Sequence, residues 1–383
     1  MAYPVRYTRT ADGVNIAFTE LGQGEPIIYL LSLPWSNFSV GFGNPCTSRH
    51  PEELSAFARL IIFDPRGCGL SDHGVEDLSL DGFALDIDAI ADAARVERFT
   101  LYGSADASRI AIRYAATRPE RVNRLILWLP SVSPERLRAD PVIQAIAPLA
   151  YRDWEVYVRT LSHAVVGGWD MERAAYADAF ADLVRGGIRP DEYPRFAKAM
   201  RTHDVSADLA NVQAPSLALT REQAAVYTVA VVREVAAGIP NAELVCTPGN
   251  WLMPCTGDDI TREIAKFLGK PYPQVEAPAN ADLGRMGPES SLNGHEARLS
   301  QREREVIELV ALGKTNSEIA RELVVTHATA SRHVHNILNK LGMSRRAEMA
   351  AYAAITGLAR HQAVALPRSQ GRESPPASDK LPI

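Results

Sequence analysis

The sequence has little that would anchor it in a membrane or cross-link it. Nowhere do eighteen uninterrupted apolar residues occur, and the amino-terminal stretch MAYPVRYTRTADGVNIAF carries no apolar signal core. Neither a spanning helix nor a secretory leader is therefore expected, and the expected location is the cytoplasm with no membrane partner. The four cysteines, Cys46, Cys68, Cys246 and Cys255, form no C-x-x-C pair. That argues against a zinc site and a disulfide framework, leaves buried free thiols as the default, and gives no reason to expect a metal or other cofactor. Histidine is missing from the whole interval between His203 and His295, which matters below. A formal charge of −5 gives no hint of a polyanionic partner.

That overall charge conceals a split. From Glu296 to Arg360 there are ten Lys/Arg against seven Asp/Glu, a net of +3 that leaves −8 for the rest of the chain. A length of 383 residues with 46% hydrophobic content implies more than one domain and ample core. The stretch GKPYPQVEAPANADLGRMGPESSLNGHEA is rich in Pro, Gly, Asn and Ser without periodicity, and the tail LPRSQGRESPPASDKLPI is similar. The expected organisation is one domain over 1–270, a linker over 271–297, a second domain over 298–361, and a disordered tail over 362–383. No internal repeat is visible.

In the second domain the helix signals are dense. Ser300 with Glu303, and Thr315 with Glu318, form two S/T-x-x-E capping boxes, with Gly313 between them where the first helix must stop. A second helix runs to about Leu323, a break of a few residues follows, and Thr326 can cap a third helix that ends at Gly342. Helix, tight turn, helix is a DNA-reading arrangement. On a helical wheel Ala330, Val334, Ile337 and Leu341 share the core face, while Ala328, Arg332, His335 and Asn339 point away. The exposed N-terminal half of such a helix meets base edges, so Ala328, Ser331, Arg332 and His335 are the candidate readers, with Arg332 able to bridge guanine O6 and N7. Lys314, Thr315, Asn316, Thr326, Thr329 and Lys340 are placed to meet phosphates.

The residues Arg302-Glu303, Val306, Glu318-Ile319-Ala320, Leu323, Thr329, His333-Val334, Ile337, Lys340-Leu341 and Arg346 resemble those of the LuxR-type helix-turn-helix domain, a four-helix module, from Leu299 to Arg360. Ala330 and Ser331 depart from its usual valine and lysine. The resemblance implies an all-α DNA-binding domain that acts as a homodimer on a pseudo-palindromic duplex operator, and the alanine-rich segment RRAEMAAYAAITGLA offers a surface for close helix packing.

Upstream, the apolar runs PIIYLL, RLIIFD, RFTLYG, RLILWL, SLALT and ELVCT alternate with longer helical patterns, which argues for an α/β fold with a mostly parallel sheet. Between Ser131 and about Leu209 helical patterns alone remain, as for an inserted lid over 131–209. FDPRGCGLSD, the helix LDGFALDIDAIADAARVERF and LYGSADASRIAIRYAATRPERVNRLIL resemble, in order, the strand-four turn, the helix before the elbow and the strand-elbow-helix unit of α/β-hydrolases. A dinucleotide fingerprint at RGCGLS is excluded because Asp72 replaces its third glycine.

Alignment with G-x-S-x-G, anchored on Gly103, puts Ala105 at the nucleophile position. Ala224 falls near the acid position, Asn250 stands where the histidine is commonly found, and the oxyanion HG pair reads Leu31-Ser32. Histidine is the base that activates serine, so the chain is expected to be a non-enzyme with a retained binding cavity. Expected around that cavity are Leu31, Ser32, Trp35, Ser104, Ala105, Asp106, Trp128, Trp154, Tyr157, Asn250 and Trp251, with a partly hydrophobic small molecule as occupant. Two alternatives stand beside this reading: an active hydrolase using Ser104 or Asp106 with His163 or His203, and a domain that mediates only protein contacts.

Overall fold

A computed structural model of the chain describes residues 3–138, 140–166, 174–224, 226–250, 252, 259–272, 299–341, 343, 346–356 and 358. The expected linker beyond residue 272 and the expected tail lie outside them, as does Trp251.

Within the described residues eight strands form one sheet: β1 (Arg6–Arg9), β2 (Asn15–Leu21), β3 (Pro26–Leu30), β4 (Arg59–Phe63), β5 (Phe99–Ser104), β6 (Val122–Trp128), β7 (Ser216–Arg221) and β8 (Ala242–Thr247). Their order is β1-β2-β4-β3-β5-β6-β7-β8. β2 runs antiparallel to β1 and β4, and every other pairing is parallel. All six apolar runs are strands, and β5 and β7 are buried along their whole length, as sequences without alternation require. The antiparallel β1–β2 hairpin adds to the six strands expected from those runs.

The sheet is sandwiched between two apolar layers. After α1 (Phe38–Phe42) and α2 (Pro45–Ser55) come α3 (Leu80–Ala93) and α4 (Ala107–Thr117), which pack on each other and form one layer. The expected lid is present as α5 (Pro134–Arg138), α6 (Pro141–Ile146), α7 (Trp154–Val165), α8 (Ala174–Gly187) and α9 (Tyr193–Met200). α10 (Val229–Gly238) and α11 (Asp259–Phe267) complete the domain.

The C-terminal domain is four helices around a core of its own: α12 (Gln301–Ala311), α13 (Asn316–Glu322), α14 (His327–Lys340) and α15 (Arg346–Thr356). Both capping boxes are closed, Thr326 caps α14, and Gly313 has a φ of +77°, the left-handed turn that ends α12. Ala330, Val334, Ile337 and Leu341 are all buried in that core. α15 also lies against α6 and α7 of the lid. Cys68 is buried and free, but Cys246, on the edge strand β8, is exposed, which corrects the expectation of burial there.

Candidate functional site

In an open parallel sheet the ligand crevice lies beyond the C-terminal strand ends, where the chain crosses from one side to the other. Here β3 connects to β4 on one flank, while β5 lies on the other flank of β3. A cavity of about 370 Å³ opens at that point, lined by Leu31 and Ser32 after β3 and by Ser104, Ala105 and Asp106 after β5.

The turn after β5 has the geometry of a nucleophile elbow without the nucleophile. Ala105 has a φ of +49°, a conformation an L-residue adopts at a cost of about 1 to 2 kcal/mol, and its amide donates to the Trp128 carbonyl at 2.7 Å. Gly103 is required by close approach, since a Cβ there would sit 2.8 Å from the Ala111 side chain and 2.9 Å from the Ser108 Cα on α4. Ala105, not Ser104, therefore occupies the half-buried tip of the turn. Ser104 Oγ donates to the Tyr29 hydroxyl at 3.2 Å and is buried.

The other catalytic positions are filled by residues that pack or hydrogen-bond. Ala224 is buried after β7, and the same loop brings Val226 and Tyr227 into the cavity wall. Asn250 is half-buried and does not line the cavity; Leu252 does, and its carbonyl accepts from Trp128 Nε1 at 2.9 Å. His203 is held by the Leu78 carbonyl at 2.8 Å beside the Phe83 ring, and neither it nor His163 lines the cavity.

Of the expected lining residues, Leu31, Ser32, Trp35, Ser104, Ala105, Asp106, Trp128 and Tyr157 are in place. Trp154 stands behind them, with its ring centroid 5.4 Å from each of Tyr157 and Tyr193. Trp154 opens α7, capped by Asp153, and its i, i+3 spacing from Tyr157 sets the two rings side by side on the helix.

Sequence reasoning missed several lining residues. Arg109 is fully buried at the floor, donating from Nη1 to Ser131 Oγ at 2.7 Å and from Nη2 to Asp106 Oδ1 at 2.5 Å. Its i, i+3 spacing from Asp106 was the available signal. Tyr193 pairs hydroxyl to hydroxyl with Tyr157 at 3.0 Å, and burial pushes both phenols up, Tyr193 to about 12. His50 lines the wall with Nδ1 2.9 Å from Thr261 Oγ1 and Nε2 3.1 Å from the Tyr102 hydroxyl. Burial, followed by the charge of Arg221, pushes it down to about 3, so it is neutral at physiological pH. The cavity is thus a mainly apolar, aromatic-rich chamber whose polar lining includes the paired Asp106 and Arg109, with Arg138 and Arg201 also in the wall.

Beneath the β3 loop, Asp64 is fully buried and accepts from Ser36 Oγ, the Phe38 amide and the Leu70 amide. Burial pushes its carboxyl up to about 6. This carboxylate fixes the loop that carries Trp35 to the turn after β4.

In the helical domain Ala328, Arg332, His335 and Asn339 are all exposed on α14, opposite the buried stripe. His335 Nε2 lies 3.1 Å from Asn339 Nδ2. Thr326 and Thr329 are tied together at the helix start, hydroxyl to hydroxyl at 2.9 Å. Ser331 is half-buried and accepts from Asn316 Nδ2 at 3.0 Å, while Asn316 Oδ1 accepts from Arg346 at 2.8 Å. Asn316 and Ser331 therefore join α13, α14 and α15. Thr315 is occupied in its capping box, Lys314 pairs with Glu322 at 2.6 Å, and Lys340 pairs with Glu303 at 2.8 Å.

The two halves define a class: an α/β-hydrolase-fold domain with Ala105 at the tip of its elbow, joined to a helix-turn-helix domain. Residues 46–155 match the family model described as alpha/beta hydrolase fold, and residues 297–353 match that of bacterial regulatory proteins, luxR family. The chain is 44% identical over 50 residues to the spore germination protein GerE of Bacillus subtilis, 13% of this chain and 68% of that protein. It is 49% identical over 59 residues to the transcriptional regulatory protein LiaR of Bacillus subtilis, 15% of this chain and 28% of that one. The N-terminal part is 32% identical over 132 residues to N-formylmaleamate deformylase of Pseudomonas putida, 34% of this chain and 46% of that enzyme. A solved hydrolase from Pseudomonas aeruginosa superposes with a TM-score of 0.59 at 20% identity, over 70% of this chain and 100% of that one, which shows the fold alone. The chain thus spans less than half the length of LiaR and of the deformylase.

The chain belongs to the luxR family of bacterial regulatory proteins. Its luxR-family domain is joined to an α/β-hydrolase-fold domain, and no described helix is long and apolar enough to cross a membrane.

Proposed function

We propose that the hydrolase-fold domain binds a small, mainly apolar effector without turning it over, and that its occupancy modulates binding of the helical domain to a pseudo-palindromic operator as a homodimer. The observation that carries this reading is Ala105: an apolar methyl stands at the tip of the elbow, facing a cavity of about 370 Å³. Catalysis by this fold requires an oxygen or carboxylate at that tip, a base beside it and a donor loop opposite. The chain supplies a methyl, Leu252 in the wall where a base would be reached, and Leu31-Ser32. The aromatic lining and the self-neutralised Asp106–Arg109 pair favour an uncharged ligand with one hydrogen-bonding end.

The test is a screen of aromatic and short acyl compounds by thermal unfolding, run beside turnover of p-nitrophenyl esters by the same pure protein. A hit raises the unfolding temperature with concentration as ligand linkage requires, and Ala105→Trp, which fills the chamber, removes the shift. Ester turnover lost in Ser104→Ala would overturn the reading in favour of an enzyme. Shifts that survive Ala105→Trp place the ligand elsewhere.

A further inference from the structure

Two lid tyrosines meet in the cavity wall with one proton more than they can share. Tyr157 on α7 and Tyr193 at the start of α9 both line the cavity, and their hydroxyls lie 3.0 Å apart. Each phenol carries one O–H, and only one of the two protons can lie between the oxygens. The other needs an acceptor, and among the described residues neither hydroxyl has a second hydrogen-bond partner. The rings packed round the pair supply none. Trp35 stacks on Tyr193 with centroids 5.6 Å apart, and the Trp154 ring lies 5.4 Å from both tyrosines, but an indole nitrogen only donates. Tyr151, whose ring also lies against Tyr193, is exposed and bonds neither hydroxyl. The Asp106 carboxylate, in the same wall, is held at Oδ1 by Arg109 and bonds neither of them. Tyr157 is only 4% exposed, so an acceptor has to arrive through the cavity.

We propose that the Tyr157–Tyr193 pair is the polar anchor of the effector site: its spare phenolic proton is donated to a neutral carbonyl oxygen, so the chamber selects uncharged aryl or acyl ketones, esters and amides over hydrocarbons of the same shape and over carboxylates. This rests on the effector reading above and names the hydrogen-bonding end that reading requires. Neutrality follows from Asp106. Burial raises both phenols, and the Asp106 charge raises them further, at Tyr193 more strongly than Arg201 acts the other way, so a second negative charge placed on the pair meets net repulsion. A ligand of the same shape without the oxygen leaves the phenolic proton unpaired in an apolar wall, the setting in which hydrogen bonding discriminates most.

The experiment titrates the full-length protein into three probes of one outline, followed by NMR of the probe: acetophenone, isopropenylbenzene, in which a methylene replaces the carbonyl oxygen, and benzoate. Tyr157→Phe/Tyr193→Phe keeps both rings. It is expected to bind acetophenone about tenfold more weakly than wild type does, because the ketone alone loses a partner. Isopropenylbenzene, whose binding reports that the chamber is intact, is expected to bind the double variant no more weakly than wild type. Each single variant keeps one hydroxyl and its proton and is expected to lose less than the double variant. Benzoate is expected to bind wild type more weakly than acetophenone does. Unchanged acetophenone affinity in the double variant, equal weakening of ketone and hydrocarbon, or tighter binding of benzoate than of acetophenone would each overturn the anchor while leaving the effector reading in place. Failure of all three probes to bind, or binding that survives Ala105→Trp, would overturn both.

Discussion

Lys340 Nζ lies 2.8 Å from the same Glu303 carboxylate oxygen that accepts the Ser300 amide, so one oxygen closes the cap of α12 and neutralises the cation at the end of α14. A phosphate approaching Lys340 has to displace that carboxylate. Glu303→Gln keeps a carbonyl oxygen for the Ser300 amide and removes the competing charge. Its binding to non-specific duplex DNA is expected to tighten at low salt, with the slope of log affinity against log salt steeper by about one. Adding Lys340→Ala should cancel the gain. A slope that is identical in wild type, Glu303→Gln and the double variant removes Lys340 from the phosphate contacts.

Arg332 and Asn316 separate reading from building. Arg332 is exposed on α14, so Arg332→Ala is expected to leave the unfolding temperature unchanged, to weaken a selected operator by about 1 to 3 kcal/mol and to relax preference at one base pair. Asn316 ties Ser331 to Arg346, and Asn316→Ala is expected to cost about 1 to 2 kcal/mol of stability in the helical domain, because two side chains lose a partner together. Denaturation curves and operator titrations on both variants decide between these assignments. An Arg332→Ala protein with full operator specificity would falsify the placement of the reading face.

Asp64 supplies a pH dependence with a definite sign. Its carboxyl is raised to about 6 in the folded domain, above the ordinary unfolded value, so the folded state holds the proton more tightly. Stability from this group is fully present below about pH 4 and is lost as the pH rises through about 6. Because each pKa unit is worth about 1.4 kcal/mol, the difference in unfolding free energy between pH 4 and pH 7 is expected to be about 2 to 3 kcal/mol more positive in wild type than in Asp64→Asn. Urea unfolding at the two pH values measures it. Equal differences in the two proteins would show that Asp64 stays ionised in the fold.

The helical domain was legible nearly residue by residue, because its signals are local: a cap is a hydrogen bond across three residues, and the stripe of Ala330, Val334, Ile337 and Leu341 follows from helix period alone. The six parallel strands were legible because burial on both faces leaves unbroken apolar runs. β1 and β2 were missed although Asp12-Gly13 between them is a hairpin signal; β2, NIAFTEL, neither alternates nor forms an unbroken apolar run, because Thr19 and Glu20 interrupt it. The elbow was legible through Gly103 and Ala105. Apart from Tyr157 on the lid, the cavity wall was legible where the chain leaves a strand end near a motif. His50, Arg109 and Tyr227 come from three separate segments whose convergence is tertiary, and Trp154 was misplaced because composition identifies an aromatic lid helix without fixing its rotation.

Ala105 carries the sharpest remaining prediction, since its strain and its chemistry can be tested at one position. Glycine adopts a φ of +49° without the Cβ penalty, so Ala105→Gly is expected to stabilise the domain by about 0.5 to 1 kcal/mol after the entropy lost in a more flexible unfolded chain. Ala105→Ser restores an oxygen to the tip of the elbow but leaves no competent base near it. His50 is the histidine that lines the cavity among the described residues; burial and Arg221 lower it to about 3, and Thr261 and Tyr102 hold both of its nitrogens. A general base works best with a pKa near the operating pH. Even with Asn250→His added, the acid position is still Ala224 and the donor loop is still Leu31-Ser32. Since loss of a base alone costs roughly a millionfold in a working serine hydrolase, Ala105→Ser should turn over p-nitrophenyl acetate no more than about tenfold faster than wild type and should resist labelling by an organophosphonate. Rapid stoichiometric labelling of Ser at position 105 would mean that the chamber holds a functional base, and that the loss of the nucleophile oxygen alone silenced the site.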